Sequence, residues 1–138
     1  MKKHWNFIIA AIYRKKEKFN KGLDFCQLSL TNCKEVKTKI DVLLNMGDIY
    51  MKMLNYDSSL ICFNKSLILS LDLNDKNSIS ISYNRLAKTF LHKNSLEKAL
   101  NNAKNSYKLA KEINSKSSIY EAAKKIMKYK KKIMKIKS

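Results

Sequence analysis

The sequence predicts an all-α protein, an α-solenoid of three helical hairpins followed by a C-terminal capping helix. Its composition favours helices, because 45% of the residues are apolar while the chain holds two Gly and no Pro. Apolar residues recur at helical steps of three and four within short segments that Asn, Asp and Ser separate. The same pattern returns roughly every forty residues. Since one hairpin buries little apolar surface alone, this repetition indicates hairpins stacked into an array.

The repeat is clearest in residues 43–71 and recurs on both sides of that segment. The central copy carries Leu43, Met46, Gly47, Tyr50, Tyr56, Ser59, Phe63 and Ser66. The later copy carries Tyr83, Leu86, Ala87, Phe90, Leu96, Ala99, Ala103 and Ser106, and the earlier copy carries Ile9, Ala10, Tyr13, Phe19, Gly22, Cys26 and Ser29. We expect Ala10, Gly47 and Ala87 to lie where the two helices of each hairpin cross, because larger side chains would hold the backbones apart. Ser29, Ser66 and Ser106 are expected where a second helix meets the next repeat.

Each helix has a start and a stop in the sequence. Helices over residues 4–16 and 19–33 form the first hairpin, and the polar segment 34–39 leads into a third helix that runs to about residue 53. The next three helices are expected to end near residues 71, 92 and 113, and a seventh continues close to the C-terminus. The expected capping residues are Asp57 for the fourth helix, Asn77 or Ser78 for the fifth, and Ser115, Ser117 or Ser118 for the seventh.

The order of small and large residues resembles the tetratricopeptide repeat, in its longer variety that is common in bacterial sensor and regulator proteins. Gly47, Tyr50, Tyr56, Ser59, Phe63 and Ser66 take that family's Gly, Tyr, Tyr, Ala, Phe and Ala places. Leu43 and Tyr83 replace the usual Trp, and the Pro that usually closes the second helix is absent. The resemblance implies one right-handed solenoid domain over residues 1–138, with repeats at about 3–36, 40–74 and 80–114 and a capping helix at about 117–136.

The last predicted helix combines an apolar stripe with many lysines. The stripe consists of Ile119, Ala122, Ile126, Tyr129, Ile133 and Ile136. Lys130 falls where the repeats carry Tyr13, Tyr50 and Phe90, so this helix is not the start of a complete fourth repeat. A terminal cap with one apolar and one soluble face is the favoured interpretation. A basic amphipathic helix that docks on an acidic partner or an anionic membrane is the alternative, and a chain shortened from a longer regulator is a further one.

Composition also bounds the setting of the protein. The longest apolar run, residues 7–13, is too short to span a bilayer, and no small-residue cleavage site follows it, so neither a membrane span nor a secretion signal is expected. Cys26 and Cys33 would lie about 10 Å apart on one helix, beyond disulfide reach. No His or Cys pair has metal-ligand spacing, and no cofactor motif is present. These observations favour a reduced, cytoplasmic protein.

The net charge of +18 raises the question of nucleic-acid binding. Of the 29 basic residues only Arg14 and Arg85 are arginines. Specific readers of bases and phosphates favour Arg for its bidentate fork, and a surplus of Lys, Asn and Ile also follows from an AT-rich genome. Compositional drift is therefore favoured over a selected nucleic-acid face, with only non-specific nucleic-acid binding expected.

The resemblance implies a partner-binding groove, because the first helices of successive tetratricopeptide hairpins line a concave surface. The positions carried over from the first repeat are His4, Phe7, Ile8, Ala11 and Arg14. The second and third repeats contribute Asp41, Leu44, Asn45, Asp48, Lys52, Ile81, Asn84, Arg85, Lys88 and His92, and the last helix contributes Lys124, Lys125 and Lys128. This groove runs from apolar to basic and suits a peptide or partner helix with an acidic end.

Other functions find less support in the sequence. Asn45 and Arg85 match two places of the carboxylate clamp that holds chaperone tails, but Phe7, Ala11 and Ile81 fill the other three and cannot pair with a carboxylate. No nucleophile elbow, phosphate-binding loop or paired-carboxylate site is present, so no catalytic residue is assigned. We expect a protein–protein interaction module, part of a bacterial signalling or regulatory assembly. The alternatives are a nucleic-acid-binding protein that uses the Lys-rich end and a remnant of a larger regulator; the sequence identifies neither the partner nor the oligomeric state.

Overall fold

A computed structural model describes the backbone of residues 2–138 and the side chains from residue 9 onward. Within this range the chain forms six α-helices and no strand, which confirms the all-α class. The helices are α1 (Lys2–Asn32), α2 (Val36–Lys52), α3 (Tyr56–Leu73), α4 (Lys76–His92), α5 (Leu96–Glu112) and α6 (Lys116–Lys137). Each helix packs on the next along the chain, and α2 also touches α4. This sequential packing is that of an α-solenoid.

Four turns of one type separate the helices from α2 to α6. Leu54, Asn74, Asn94 and Asn114 each have a positive φ, between 54° and 62°, and they stand twenty residues apart. The N–H of the residue after each of them donates to the carbonyl oxygen five residues earlier, as in Asn55 to Tyr50 at 2.9 Å and Ser95 to Phe90 at 2.9 Å. This is the Schellman end of a helix, which explains how the helices stop without Pro.

Two of the predicted caps are wrong by two or three residues. Asn55, not Asp57, caps α3, since its side chain accepts a bond from the N–H of Ser58 at 3.2 Å. Asp75 caps α4 by accepting from the N–H of Ser78. Asn55 and Asp75 each follow directly after a residue with positive φ. The position of that turn therefore determines which of several neighbouring polar residues caps the helix. Ser115 occupies the N-cap position of α6.

The prediction of a hairpin within residues 4–33 is wrong, because α1 is one continuous helix of 31 residues. The other two hairpins turn at Leu54–Asn55 and Asn94–Ser95, and the matching residues here are Glu17 and Lys18. Glu and Lys are strong helix formers that seldom adopt positive φ, and Glu17 pairs with Lys21 one turn on, at 3.4 Å. Ala10 is consequently exposed rather than placed at a helix crossing.

The core consists of two apolar clusters on either side of α4. The first contains Ile40, Leu44, Phe63 and Leu86. The second contains Ala87, Ala99, Leu100, Ala103 and Tyr129, which joins α4, α5 and α6. Because α6 buries Tyr129 and Ala122 against α5, it covers the apolar end of the array as a capping helix does. The division into repeats at 40–74 and 80–114 stays a prediction, with which the bounds of α2 to α5 agree.

Small residues let neighbouring helices approach closely. Gly47 of α2 lies against the ring of Phe63, and the Oγ of Ser59 donates to the carbonyl of Gly47 at 3.0 Å. Between hairpins, the hydroxyls of Ser66 and Ser82 are 2.8 Å apart and join α3 to α4, as expected of a serine that meets the next repeat. Among the described residues, no buried side-chain nitrogen or oxygen is left without a hydrogen-bond partner. The polar core therefore carries no desolvation penalty from an unpaired hydroxyl.

Candidate partner-binding groove

The candidate site is the face shared by α2, α4 and α6, which polar side chains connect from helix to helix. Arg85 of α4 donates from Nε to Oδ1 of Asp48 in α2 at 2.9 Å. Lys125 of α6 donates from Nζ to Oδ1 of Asn84 in α4. All four residues are half-buried. These bonds join three of the four helices that were predicted to line the groove, and they restrain its central side chains.

Two cavities lie along this face. One of about 340 Å³ lies between α2 and α4 and is lined by Asp48, Met51, Lys52, Phe63, Arg85 and Lys88. The other, of about 140 Å³, lies between α4 and α6, and its lining includes Ile81, Asn84, Ser118 and Glu121. The structure thus places Asp48, Lys52, Arg85 and Lys88 around one cavity and Ile81 and Asn84 beside the next.

Four cations, named here the basic cluster, gather where α4 faces α6: Arg85, Lys88, Lys125 and Lys128. Burial and the positive charges of the other three members lower the pKa of the Lys125 ammonium, while Glu121 acts in the opposite direction. Burial is the largest of these causes, and the like charges of the cluster add to it. The free protein therefore holds at this face a concentration of positive charge that an anionic group would relieve.

The remaining predicted groove residues divide into exposed and buried positions. Asn45, Lys52, Lys88, Lys124 and Lys128 are exposed. Leu44 is a correction, because it is only 8% exposed and packs with Ile40, Phe63 and Leu86 in the core. Leu44 lies one helical turn from Ile40 and so shares the buried face of α2.

The groove residues assigned to the first repeat are not brought together with the others. Ala11 and Arg14 are exposed on α1, and the side chains of His4, Phe7 and Ile8 lie outside the described part of the structure. Asp41 accepts a bond from Lys37 on its own helix at 3.4 Å. His92 ends α4 and stacks on the ring of Tyr56 at 5.4 Å between ring centroids. None of these contacts extends the face formed by α2, α4 and α6.

Glu121 was not predicted as a site residue, although it lines the second cavity and acts to raise the pKa of Lys125. A signal for it was present, because Glu121 stands forty residues after Ile81, as Lys124, Lys125 and Lys128 stand forty after Asn84, Arg85 and Lys88. The three lysines were predicted at these positions, and the same forty-residue step from Ile81 leads to Glu121. One acidic side chain therefore stands at the edge of the basic cluster.

The described part of the chain also bears on metal binding, membrane spanning and cysteine reactivity. No three His, Cys, Asp or Glu side chains come together there in a way that could hold a metal ion. None of its helices is both long and apolar enough to cross a lipid bilayer. Burial raises the pKa of the Cys62 thiol, which makes it a weaker nucleophile than an ordinary cysteine.

Four successive helices of 17 or 18 residues, sequential packing, repeated turns and a polar face across α2, α4 and α6 define an α-solenoid of the kind that forms interaction domains. The chain belongs to the tetratricopeptide repeat family, whose sequence model matches residues 38–112. That match spans α2 to α5, the two complete hairpins. Tetratricopeptide repeats generally mediate protein–protein interactions, and the fold is typically non-enzymatic.

A solved structure supports the same fold. The chain is similar, with a TM-score of 0.69 and 21% identity, to a signal transduction ATPase with numerous domains that carries a tetratricopeptide repeat sensor, from Pyrococcus horikoshii. The similarity covers 88% of this chain but only 21% of that one. Among curated proteins, none matches this chain in sequence.

Proposed function

We propose that the chain is a protein–protein interaction module that holds an acidic peptide segment or partner helix across α2, α4 and α6. The observation that carries this proposal is the basic cluster, in which the partly buried Lys125 donates to Asn84 beside Arg85, Lys88 and Lys128. We further propose that it works in the cytoplasm as part of a regulatory assembly. The free thiols of Cys26, Cys33 and Cys62 are consistent with a reducing compartment.

The energetics favour an anionic partner. Removal of Lys125 from water and its closeness to three cations both disfavour its charged form. A carboxylate placed among these groups would regain part of that free energy, since opposite charges about 4 Å apart near a protein surface attract by about 4 kcal/mol before desolvation is counted. Arg85 is already oriented by Asp48, and a guanidinium has five N–H donors, so it can still pair with a partner carboxylate.

The apolar part of the site sets the second requirement on the partner. Ile81 is half-exposed beside the cavity between α4 and α6, and Met51 and Phe63 line the cavity between α2 and α4. A partner with apolar side chains next to its carboxylates would fill these cavities and exclude water from the ion pairs. Affinity would then rest on apolar contact as well as on charge and would survive moderate salt.

The test is a fluorescence-anisotropy titration of the full chain with a labelled peptide of alternating Glu and Leu. A peptide with Gln in place of Glu serves as the uncharged probe. The variant Lys88→Gln/Lys125→Gln/Lys128→Gln removes three members of the basic cluster. Its matched control, Lys65→Gln/Lys104→Gln/Lys108→Gln, makes the same change in net charge on exposed positions of α3 and α5. At about 0.5–1 kcal/mol per lost ion pair, three lost pairs amount to about 1.5–3 kcal/mol, and we expect the first variant to bind the acidic peptide about 10- to 150-fold more weakly. Equal weakening in both variants would show that net charge alone attracts the peptide.

Nucleic acid is the second candidate, because α6 also exposes lysines beyond the basic cluster, at positions 130, 131, 132 and 135. The same titration with labelled RNA and duplex DNA at two salt concentrations decides between the two. For duplex DNA, log K should fall by ~0.9 per phosphate contact as log salt rises. We expect weak, non-specific binding that vanishes near physiological salt. Sequence-selective binding that persists there, and that is lost when the α6 lysines become Gln, would replace the peptide proposal.

A further inference from the structure

The N-terminal half of α1 carries apolar side chains that the chain itself does not cover. Ile9, Ile12 and Tyr13 are 46%, 60% and 66% exposed. All described residues from 9 to 18 are exposed, whereas the C-terminal half of α1 is partly buried against α2. Ile12 borders the C-terminal end of α2 across a cavity, but the stripe stays exposed and calls for an occupant.

The same stripe is buried in the two complete hairpins. Met46, Gly47 and Tyr50 in α2 match Ile9, Ala10 and Tyr13, as do Leu86, Ala87 and Phe90 in α4. Gly47 and Ala87 are buried, and Met46 and Leu86 belong to the core. Residues 9–13 therefore carry the side chains expected in the first helix of a hairpin, but they are not packed against a second helix.

The C-terminal half of α1 lacks the first helix that would cover it in a complete hairpin. Its Cys26 matches Phe63 of α3 and Ala103 of α5, both fully buried, yet Cys26 stays partly exposed. Phe63 is covered by Gly47 of its own hairpin, and Ala10 is the residue that would cover Cys26. On the straight helix these two residues are sixteen positions apart, or about 24 Å. The segment that would complete this hairpin cannot reach it within the same chain.

We propose that two copies of the chain exchange these segments, so that residues 9–16 of each copy pack on residues 19–29 of the other and complete its first hairpin. The exchange is reciprocal and closed by a two-fold axis, as in a domain-swapped dimer. The absence of a turn residue at Glu17–Lys18 is its structural cause, because a helix that does not turn carries its first half away from its own second half. The dimer does not depend on the peptide-binding proposal.

Charge at the crossing point gives the dimer a distinctive salt response. Residues 14–18, around the point where the two helices would cross, are Arg, Lys, Lys, Glu and Lys, and the exchange brings two such segments together. Like charges repel less when salt screens them. We therefore expect dimerisation to strengthen with salt, whereas binding of an acidic peptide should survive moderate salt but not strengthen.

Disulfide trapping tests the exchange. The full chain carries Ala10→Cys with Cys33→Ser and Cys62→Ser, which leaves native Cys26 as the other thiol, and is oxidised with copper–phenanthroline. An Ala11→Cys chain in the same background is the control, since residue 11 lies about 100° around the helix. We expect a disulfide-linked dimer for Ala10→Cys and little for Ala11→Cys. An intrachain disulfide would mean that the hairpin folds back on itself, and either that result or equal cross-linking in both chains would overturn the proposal.

A turn variant provides an independent test without cross-linking. Glu17→Asn/Lys18→Ser introduces the residues found at the turn between α4 and α5, and Glu17→Gln/Lys18→Gln removes the same charges without favouring a turn. Light scattering after size-exclusion chromatography should give twice the 16.1 kDa chain mass for the native and Gln chains. It should give the monomer mass for the Asn/Ser chain, with helical circular dichroism unchanged. A monomeric native chain at all salt concentrations would rule out the exchange.

Discussion

Gly47 and Phe63 are in such close contact that a methyl group on residue 47 would lie within 2.7 Å of three ring atoms. The contact joins α2 to α3 at the centre of the chain. The Phe63 ring also packs with Ile40 and Leu86 and is fully buried, so it has little space into which to move. The close approach of the two helices depends on the absence of a side chain at this position.

We accordingly expect Gly47→Leu to lower the free energy of unfolding by at least ~2 kcal/mol, because the larger side chain overfills the contact with Phe63. Gly22→Ala is the control, since a Cβ there would be 3.2 Å from the flexible end of Ile49. That change should be neutral or stabilising by up to ~1 kcal/mol through helix propensity. Urea unfolding followed by circular dichroism measures both, and a Gly47→Leu protein as stable as the native chain would contradict the assigned register.

The turn at Leu54 gives a stabilising prediction. Leu54 has φ of 62° and is mostly exposed, while Asn occupies the three equivalent positions. Since Asn tolerates the left-handed region better than Leu, Leu54→Asn should raise the stability by about 0.5–1 kcal/mol. The mirror change, Asn94→Leu, should lower it by a similar amount. Thermal unfolding of the two variants should therefore shift in opposite directions, and a shift of the same sign in both would refute this account.

The capping role of α6 can be tested at Tyr129, which is 1% exposed and packs with Ala87, Ala99, Leu100 and Ala103. Tyr129→Ala should lower the free energy of unfolding by about 3–5 kcal/mol, by analogy with other large aromatic truncations in cores, whereas Tyr129→Phe keeps the ring and should lower it little.

Removal of residues 118–138 should expose the same face of α5 and promote aggregation, measured by light scattering. A truncated chain that stays as soluble and stable as the native one would assign α6 to partner docking instead.

We expect the charge of Lys125 to lower the stability of the protein and to strengthen binding of an acidic peptide. Its pKa lies below the ordinary value of 10.5 because of burial and neighbouring cations. The unfavourable contribution of its charge is therefore fully present below the folded-state pKa. It is relieved as pH rises through that pKa toward 10.5, where the unfolded chain still binds the proton. Lys125→Gln should be at least as stable as the native chain near pH ~7, and this advantage should shrink toward pH ~10. Paired urea titrations at the two pH values measure the difference.

The binding readout completes that test. The same Lys125→Gln chain should bind the Glu/Leu peptide more weakly at neutral pH, because it lacks one member of the basic cluster. A variant that loses stability equally at both pH values, with peptide binding unchanged, would place Lys125 in a purely structural role through its bond to Asn84.

Packing positions were predictable from the sequence because the repeat itself marks them. Gly47, Ala87 and Ser66 recur in register with residues of matching size, and all three are buried at helix contacts. The continuity of α1 was not predictable from that signal. Ile9 and Tyr13 match the packing pattern, but Glu17 and Lys18 decide locally whether the helix turns, and their propensity for helix prevails.

The candidate site was predictable in part for a related reason. Asn84, Arg85 and Lys88 project from one face of α4 because they lie at helical spacing, and the forty-residue period identifies their partners on α6. Leu44 was misplaced because one residue rotates a helical position by about 100°, and the pattern in α2 leaves both Leu44 and Asn45 near the boundary between core and surface. Which hydrogen bonds the site would form, such as Arg85 to Asp48, depends on how far apart the helices pack, and sequence spacing does not contain that distance.

The even spacing of the four left-handed residues divides the chain into units that could be lost or duplicated in frame. Turns that stand forty residues apart share a left-handed residue, with φ of 62° and 60° at Leu54 and Asn94 and of 54° at both Asn74 and Asn114. In-frame loss or duplication of such a unit, for example residues 75–114, would rejoin a turn to a helix start without disturbing either. The length of the α-solenoid can therefore change by whole units without a change in how each hairpin folds.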